Sequence, residues 1–233
     1  ASVGVAILME VKTGEIKAMV NLQRCEDGGY TEGWNMAVAD LSEPGSTFKT
    51  MSLMVALDHN VCDTADTVNI NHGVWMFHKS KMTDHNWRKG GYDTLSVAGI
   101  LAQSSNVGVS RIIDEHYKND PMKFIDAVKA TGFADKLELG IPGTATPTIP
   151  TPKSKSWSGV TLPWMSIGYT VQVPPIYTLN FYNAIANGGK MMRPYVVKEI
   201  RRDGHTIVKN SPEVINSSIC KSNKKKKVQG MLE

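Results

Sequence analysis

The chain has 233 residues, of which 41% are hydrophobic and 21% charged, with a formal net charge of +4; that composition excludes a disordered low-complexity chain and leaves room for one large domain or two small ones. The lysine run "NKKKK" at 223–227 is local, so there is no broad basic stripe of the kind that nucleic-acid binders carry. The cysteines, Cys25, Cys62 and Cys220, form no C-x-x-C pair, which excludes a zinc ribbon or a thioredoxin-type site, and no apolar run approaches the length of a membrane span.

The chain opens abruptly on "ASVGVAILMEV", so any signal or anchor is expected upstream or already removed. In chain order, residues 3–11 and 16–20 are β-branched apolar runs separated by Thr13-Gly14, which predicts a β-hairpin. A polar, glycine-rich loop is expected at 21–33. Pro44-Gly45 then stops the chain, and a helical pattern starts at Ser46 through Phe48, Met51, Met54, Val55 and Leu57. A second helical stretch is expected at 95–105, followed by "NVGVSRIIDEHY", and a third at 121–131 with Pro121 at its first position and Gly132 closing it. Residues 140–163, rich in Pro, Thr, Ser and Gly, read as one long surface loop. Helix resumes at "PPIYTLNFYNAIANGG", a hairpin turns at Asp203-Gly204, and Val228, Met231 and Leu232 mark the buried side of a last helix whose lysines face solvent. No internal repeat occurs, and the pattern as a whole is mixed α+β.

Ser46 and Lys49 carry the chemistry. A serine hydroxyl needs a base within reach before it becomes a nucleophile, and residues three apart on a helix share a face. Lysine serves as that base only where burial lowers its pKa, which the apolar neighbours Phe48, Met51 and Met54 can supply. At a helix start, unpaired backbone N–H groups also face an oxyanion. The S-x-x-K tetrapeptide alone favours a capping serine with a surface lysine. Its context is "EPGSTFKT", and an S-x-N element, Ser104-Ser105-Asn106, follows.

These motifs, with "MTDHNWRKGGYDTLSVAGILAQSSNVG", "GFADKLELGIPG" and "SIGYTVQVPPIYTLNFYNAIANGGKMMRPYVV", resemble in order and spacing the transpeptidase domain of class B high-molecular-weight penicillin-binding proteins, over most of residues 34–200. One local departure is Pro174-Pro175, where the family usually has Thr-Pro. The resemblance implies a penicillin-binding-protein transpeptidase, serine β-lactamase-like fold: a first sheet hairpin at 1–20, a mostly helical region at 34–190 with both serine motifs, and a hairpin and the start of a C-terminal helix at 191–233. It implies Ser46 as acylated nucleophile, Lys49 as proton acceptor, Ser104 as proton relay, and Ser105 and Asn106 on the substrate side, Asn106 also helping to hold Lys49. The implied reaction is D,D-transpeptidation of peptidoglycan stem peptides with release of D-alanine, trapped by β-lactams. No metal or organic cofactor and no nucleic acid is implied. The implied setting is the periplasmic face of the bacterial inner membrane, beside a glycosyltransferase or other membrane proteins of the division or elongation machinery.

The family's third element, K-T-G, lies after both serine motifs. Here Lys12-Thr13-Gly14 precedes them in a hairpin turn, where a Thr-Gly pair has its own structural reason, and no equivalent follows Asn106. The expectation is therefore a transpeptidase domain whose sheet lacks its C-terminal strands, slow or inactive as a fragment. A β-lactam sensor or scaffold module shares the fold. A serine β-lactamase fits less well, because no E-x-x-L-N text follows Asn106 to activate a deacylating water. His59, His72, His78 and His85 match no zinc spacing and read as surface and loop histidines.

Overall fold

The computed structural model describes residues 2–233. The chain divides into two compact units. One comprises the N-terminal segment to Ser42 with Gly132–Pro147 and Val173–Ile219; the other comprises Glu43–Thr131, Thr148–Gln172 and Cys220–Glu233.

The first unit begins with β1 (Val3–Met9) and β2 (Ile16–Arg24), paired antiparallel from Val3↔Gln23 to Met9↔Ile16 with an irregularity after Leu8. The polar loop expected at 21–33 is in part strand: β2 runs on to Arg24, and β3 (Tyr30–Glu32) pairs with it through Leu22↔Glu32 and Arg24↔Tyr30. Polar residues there tolerate a strand because the sheet is thin and β3 is fully exposed. A single helical turn, α1 (Met36–Ala39), follows; the buried Asn21 amide oxygen accepts from the Ala37 N–H (2.8 Å), anchoring it to β2.

The second unit starts with a 3-10 turn, Gly45–Phe48, that runs into α2 (Lys49–Asp58). Every residue from Lys49 to Leu57 is buried, so α2 is a central helix surrounded on all sides rather than an amphipathic surface helix. Around it the chain lays β4 (Thr67–Asn69), β5 (Val74–Phe77), β6 (Ser80–Thr83), β7 (Thr94–Ser96), α3 (Val97–Ala102), α4 (Asn106–Tyr117) and α5 (Pro121–Ala130). β5 and β6 form a hairpin, and β4 pairs with β7. The helix expected from residue 95 thus begins at Val97, where the Ser96 hydroxyl accepts from the Gly99 N–H (3.0 Å) and caps it. Pro121 stands in the first turn of α5, and Gly132, at φ +84°, follows its end.

The expected long loop stops at α6 (Thr161–Met165). The chain then returns to the first unit with α7 (Pro175–Ala186), β8 (Met191–Met192), the hairpin β9 (Glu199–Arg202) and β10 (His205–Lys209), and β11 (Val214–Asn216), which pairs with β8. Finally α8 (Ser222–Gly230) docks in the second unit. The Lys221 N–H and ammonium donate to the Asp58 carboxylate and carbonyl (2.6 and 2.7 Å), Lys227 pairs with Asp63, and Val228 is buried. Lys224, expected on the solvated face, is buried as well, at 7% exposure.

Lys12-Thr13-Gly14 forms the β1–β2 turn. The Thr13 hydroxyl donates to Glu10 (3.0 Å) and accepts from the Glu15 N–H (3.2 Å), while the Gly14 carbonyl accepts from the Tyr195 N–H (3.1 Å). Gly14 sits at φ +79°, and a Cβ there would lie 2.4 Å from the Arg193 carbonyl oxygen. Gly28 shares the left-handed conformation, at φ +86°, with open space around it. Gly14→Ala should therefore lower the melting temperature more than Gly28→Ala, which bears only the backbone cost of about 1–3 kcal/mol. Equal losses in a thermal melt of the two variants would show that the turn is not packed on Arg193.

Candidate active site

The residues singled out from sequence are Ser46, Lys49, Ser104, Ser105 and Asn106, and all five lie in the second unit. Ser46 is exposed in the 3-10 turn, with the Lys49 N–H donating to its carbonyl, so Ser46 and Lys49 belong to one continuous helical run. Two glycines shape the approach for different reasons. Gly45, at φ +54°, has open space where a Cβ would be; it supplies conformation. Gly168, at φ +84°, would drive a Cβ to 2.1 Å from the Gly45 carbonyl oxygen, so it supplies clearance. The Gly45 N–H donates to the Gly168 carbonyl (3.2 Å) and the Thr170 N–H to the Glu43 carboxylate (2.8 Å), which seats segment 168–170 on the backbone just before Ser46.

Lys49 is 1% exposed. Its ammonium nitrogen donates to the Ser104 carbonyl (2.6 Å) and to the Ser104 Oγ (3.0 Å). Ser104 can present both oxygens from a left-handed backbone, φ +50°, between α3 and α4, a conformation that costs a non-glycine residue on the order of 1 kcal/mol. Burial pushes the Lys49 pKa down to about 8, and the negative charge of Asp84 partly opposes that fall.

Ser105 and Asn106 begin α4. Ser105 is buried, its Oγ accepting from the Gly108 N–H (2.9 Å) as the helix cap and donating to Asp84 Oδ2 (2.6 Å). The other Asp84 oxygen accepts from the Val107 N–H (2.9 Å). The Asn106 amide nitrogen donates to the Thr83 carbonyl (2.9 Å), so this residue is tied to the end of β6 while Lys49 is held by Ser104. Asp84, 3% exposed, is the site residue that sequence reasoning missed. It lies within the stretch that carries the family likeness, but it meets Ser105 across 21 positions, beyond any local pattern.

A buried serine cluster was missed for the same reason. Ser52 on α2 donates to the Ser166 carbonyl (2.7 Å), and the Ser110 and Ser166 hydroxyls both lie 2.7 Å from the Pro163 carbonyl oxygen. This cluster ties α2 and α4 to the end of α6, and so to the segment seated beside Ser46. Of the histidines, His59 meets the Tyr117 hydroxyl (2.9 Å) and His72 the Gly90 carbonyl (3.0 Å).

The site thus brings together an exposed serine leading into a helix, a buried lysine one turn on and a second serine held by that lysine. Known proteins resemble this chain. The family model of the penicillin-binding protein transpeptidase domain matches residues 4–233. The peptidoglycan D,D-transpeptidase FtsI of Buchnera aphidicola is 30% identical over 205 residues, which are 86% of this chain and 34% of that protein. Among solved structures, the transpeptidase domain of Burkholderia pseudomallei penicillin-binding protein 3 superposes with a TM-score of 0.78 at 24% identity, covering 100% of this chain and 62% of the other. Penicillin-binding protein 3 of Mycobacterium tuberculosis, in complex with aztreonam, gives 0.80 at 23% identity, covering 99% and 50%. The chain thus spans about a third of that curated relative and half or somewhat more of the solved chains. Its mixed helix-and-sheet architecture is that of penicillin-binding transpeptidase domains, and the chain belongs to the penicillin-binding protein transpeptidase family, with the class B members.

Proposed function

We propose that this chain carries the acylation machinery of a peptidoglycan D,D-transpeptidase. The observation that carries the reading is the buried Lys49, held by both oxygens of Ser104 one helical turn after Ser46. With its pKa near 8, roughly one Lys49 in ten is neutral at pH 7, against fewer than about one in a thousand at the ordinary value. That gain in free base is what the site's burial provides.

In this reading Ser46 Oγ attacks the carbonyl carbon of the penultimate D-alanine while its proton passes to neutral Lys49. The tetrahedral oxyanion faces the N–H groups at the helix start. The peptide bond breaks, and the proton travels through Ser104 Oγ to the departing amine of the terminal D-alanine. An amine of a neighbouring stem peptide then attacks the Ser46 ester, its proton returning along the same path, and the cross-linked peptide leaves. A β-lactam acylates Ser46 by ring opening and keeps its leaving amine tethered. Asn106, fixed to Thr83, would offer its amide oxygen toward the donor peptide, and Ser105, turned into the interior, would position Ser104 and Asn106 through Asp84. The work would take place at the periplasmic face of the membrane beside other wall-building proteins; among the described residues no helix is long and apolar enough to cross a membrane.

Fluorescent penicillin, incubated with the whole chain and followed by peptide mapping, should mark Ser46 slowly but specifically, and Ser46→Ala should carry no label. Stoichiometric label on another residue of that variant would overturn the reading.

The pH profile tests Lys49. The neutral form is the active base, so the labelling rate should rise about tenfold per pH unit below 8 and level off above it. Lys49→Arg, which cannot deprotonate, should fall by roughly 100-fold or more. Stability moves in the same direction. A lysine whose folded pKa is depressed penalises the folded state below about pH 8, and the penalty fades as pH rises toward 10.5. Lys49→Met should gain on parent protein at pH 7, by about 3 kcal/mol at most, and lose that advantage toward pH 10. A labelling rate that is flat from pH 6 to 9 would remove Lys49 as the base.

Asp84 acts through other residues, and Asp84→Asn separates its two roles. Weakened bonds to Ser105 and Val107 should lower the melting temperature, a loss of about 1–3 kcal/mol. Removal of the charge that props up the Lys49 pKa should also move the midpoint of the labelling profile below that of the parent. A lower melting temperature with an unmoved midpoint would reduce Asp84 to a structural cap.

A further inference from the structure

The outward face of α4 floors two adjoining cavities of about 310 and 260 Å³, both in the second unit. The larger is at the low end of the range for small-molecule sites, about 300–1,000 Å³. Asp114 and Lys118 line both, one helical turn apart on the same stripe. Trp75 walls the smaller cavity, its ring stacked beneath the Arg111 guanidinium at 3.8 Å. Trp157 walls the larger, where the His78 ring packs on Gly159 so closely that a Cβ there would meet it at 2.5 Å.

The polar groups select among ligand classes. Arg111 and Lys118 are balanced by Asp114 and Glu115, so the lining has no net charge to favour an anion or a cation. Asp114 is half-buried, its carboxyl held above the usual range by desolvation, with Lys118 and His78 opposing. Among the described residues its carboxylate accepts no hydrogen bond. A partly dehydrated acceptor without a donor, flanked by two indoles, fits a neutral ligand that has hydroxyl donors on its edges and C–H faces to stack. We propose that this groove binds a neutral saccharide, with Asp114 accepting from vicinal hydroxyls and Trp157 stacking on a pyranose ring.

Resting on the transpeptidase reading, the saccharide is the glycan whose peptides reach Ser46. α4 begins at Asn106, and at about 1.5 Å per residue the groove residues Arg111 to Lys118 lie roughly 8–18 Å along its axis from the site. One rigid helix would then hold both parts of a glycopeptide.

Titration of the whole chain with N,N′-diacetylchitobiose, followed by tryptophan fluorescence, tests the site. Saturable binding in the millimolar range is expected, weakened about tenfold or more by Asp114→Asn and by Trp157→Ala, which lie on different elements. Penicillin labelling of Ser46 should be unchanged in both variants. No saturation at the solubility limit, equal affinity in parent and both variants, or a matching response to inorganic phosphate would each overturn the proposal. In the parent chain, absent saccharide binding with labelling intact strikes the groove alone, whereas absent labelling with binding intact strikes the transpeptidase reading alone.

Discussion

A carboxylate at 3% exposure has to be satisfied, and the way Asp84 is satisfied organises the candidate site in the second unit. Its oxygens accept from the Ser105 hydroxyl and the Val107 N–H at the start of α4, where the positive end of the helix also favours negative charge. Just before the first turn of α4, pinned in this way, Ser104 adopts a left-handed backbone, and both its oxygens accept from Lys49. The same carboxylate acts on Lys49 at longer range. Burial alone would lower that ammonium's pKa further; the negative charge nearby stops the fall at about 8. One buried charge thus bears on the position of the Ser104 segment and tempers the fall that burial imposes on Lys49.

The second constraint is that α2 has no exposed face. Apolar residues there need no partners, but Lys49, Thr50 and Ser52 do, and the partners of Lys49 and Ser52 define the site's walls. Lys49 takes Ser104, and Ser52 takes the Ser166 carbonyl. Ser110 and Ser166 then share one acceptor, the Pro163 carbonyl, with their own oxygens 3.1 Å apart. A carbonyl has two lone pairs, so both hydroxyls can be satisfied there at once. The result couples the helix that follows Ser46 to the segment that lies against Gly45.

What the sequence discloses is the chemistry that depends on local spacing. Ser46 and Lys49 are legible as a pair because residues three apart on a helix share a face, and Pro121 and Gly132 mark the ends of α5 for equally local reasons. Ser104-Ser105-Asn106 is legible as a motif, but the division of labour inside it is not: Ser105 faces inward to Asp84, and Asn106 reaches back to Thr83. Those partners are tertiary, as are Ser52 and Ser166, 114 positions apart. β3 was unreadable because a fully exposed strand needs no apolar alternation. The Lys12-Thr13-Gly14 triplet was legible as a turn, and the crowding of Gly14 against Arg193 shows a reason for the glycine that owes nothing to catalysis.

Glycine near the nucleophile illustrates how little a residue's identity discloses without its surroundings. Gly45 and Gly168 both have positive φ, yet only Gly168 is in contact where a side chain would begin. A substitution at 45 strains one residue in place. At 168 it must displace the Gly45 backbone, and through the continuous run from Gly45 into α2 that displacement reaches Ser46 directly. Reactions that depend on near-attack geometry are sensitive to shifts of an ångström, so clearance at Gly168 is part of what sets the position of Ser46.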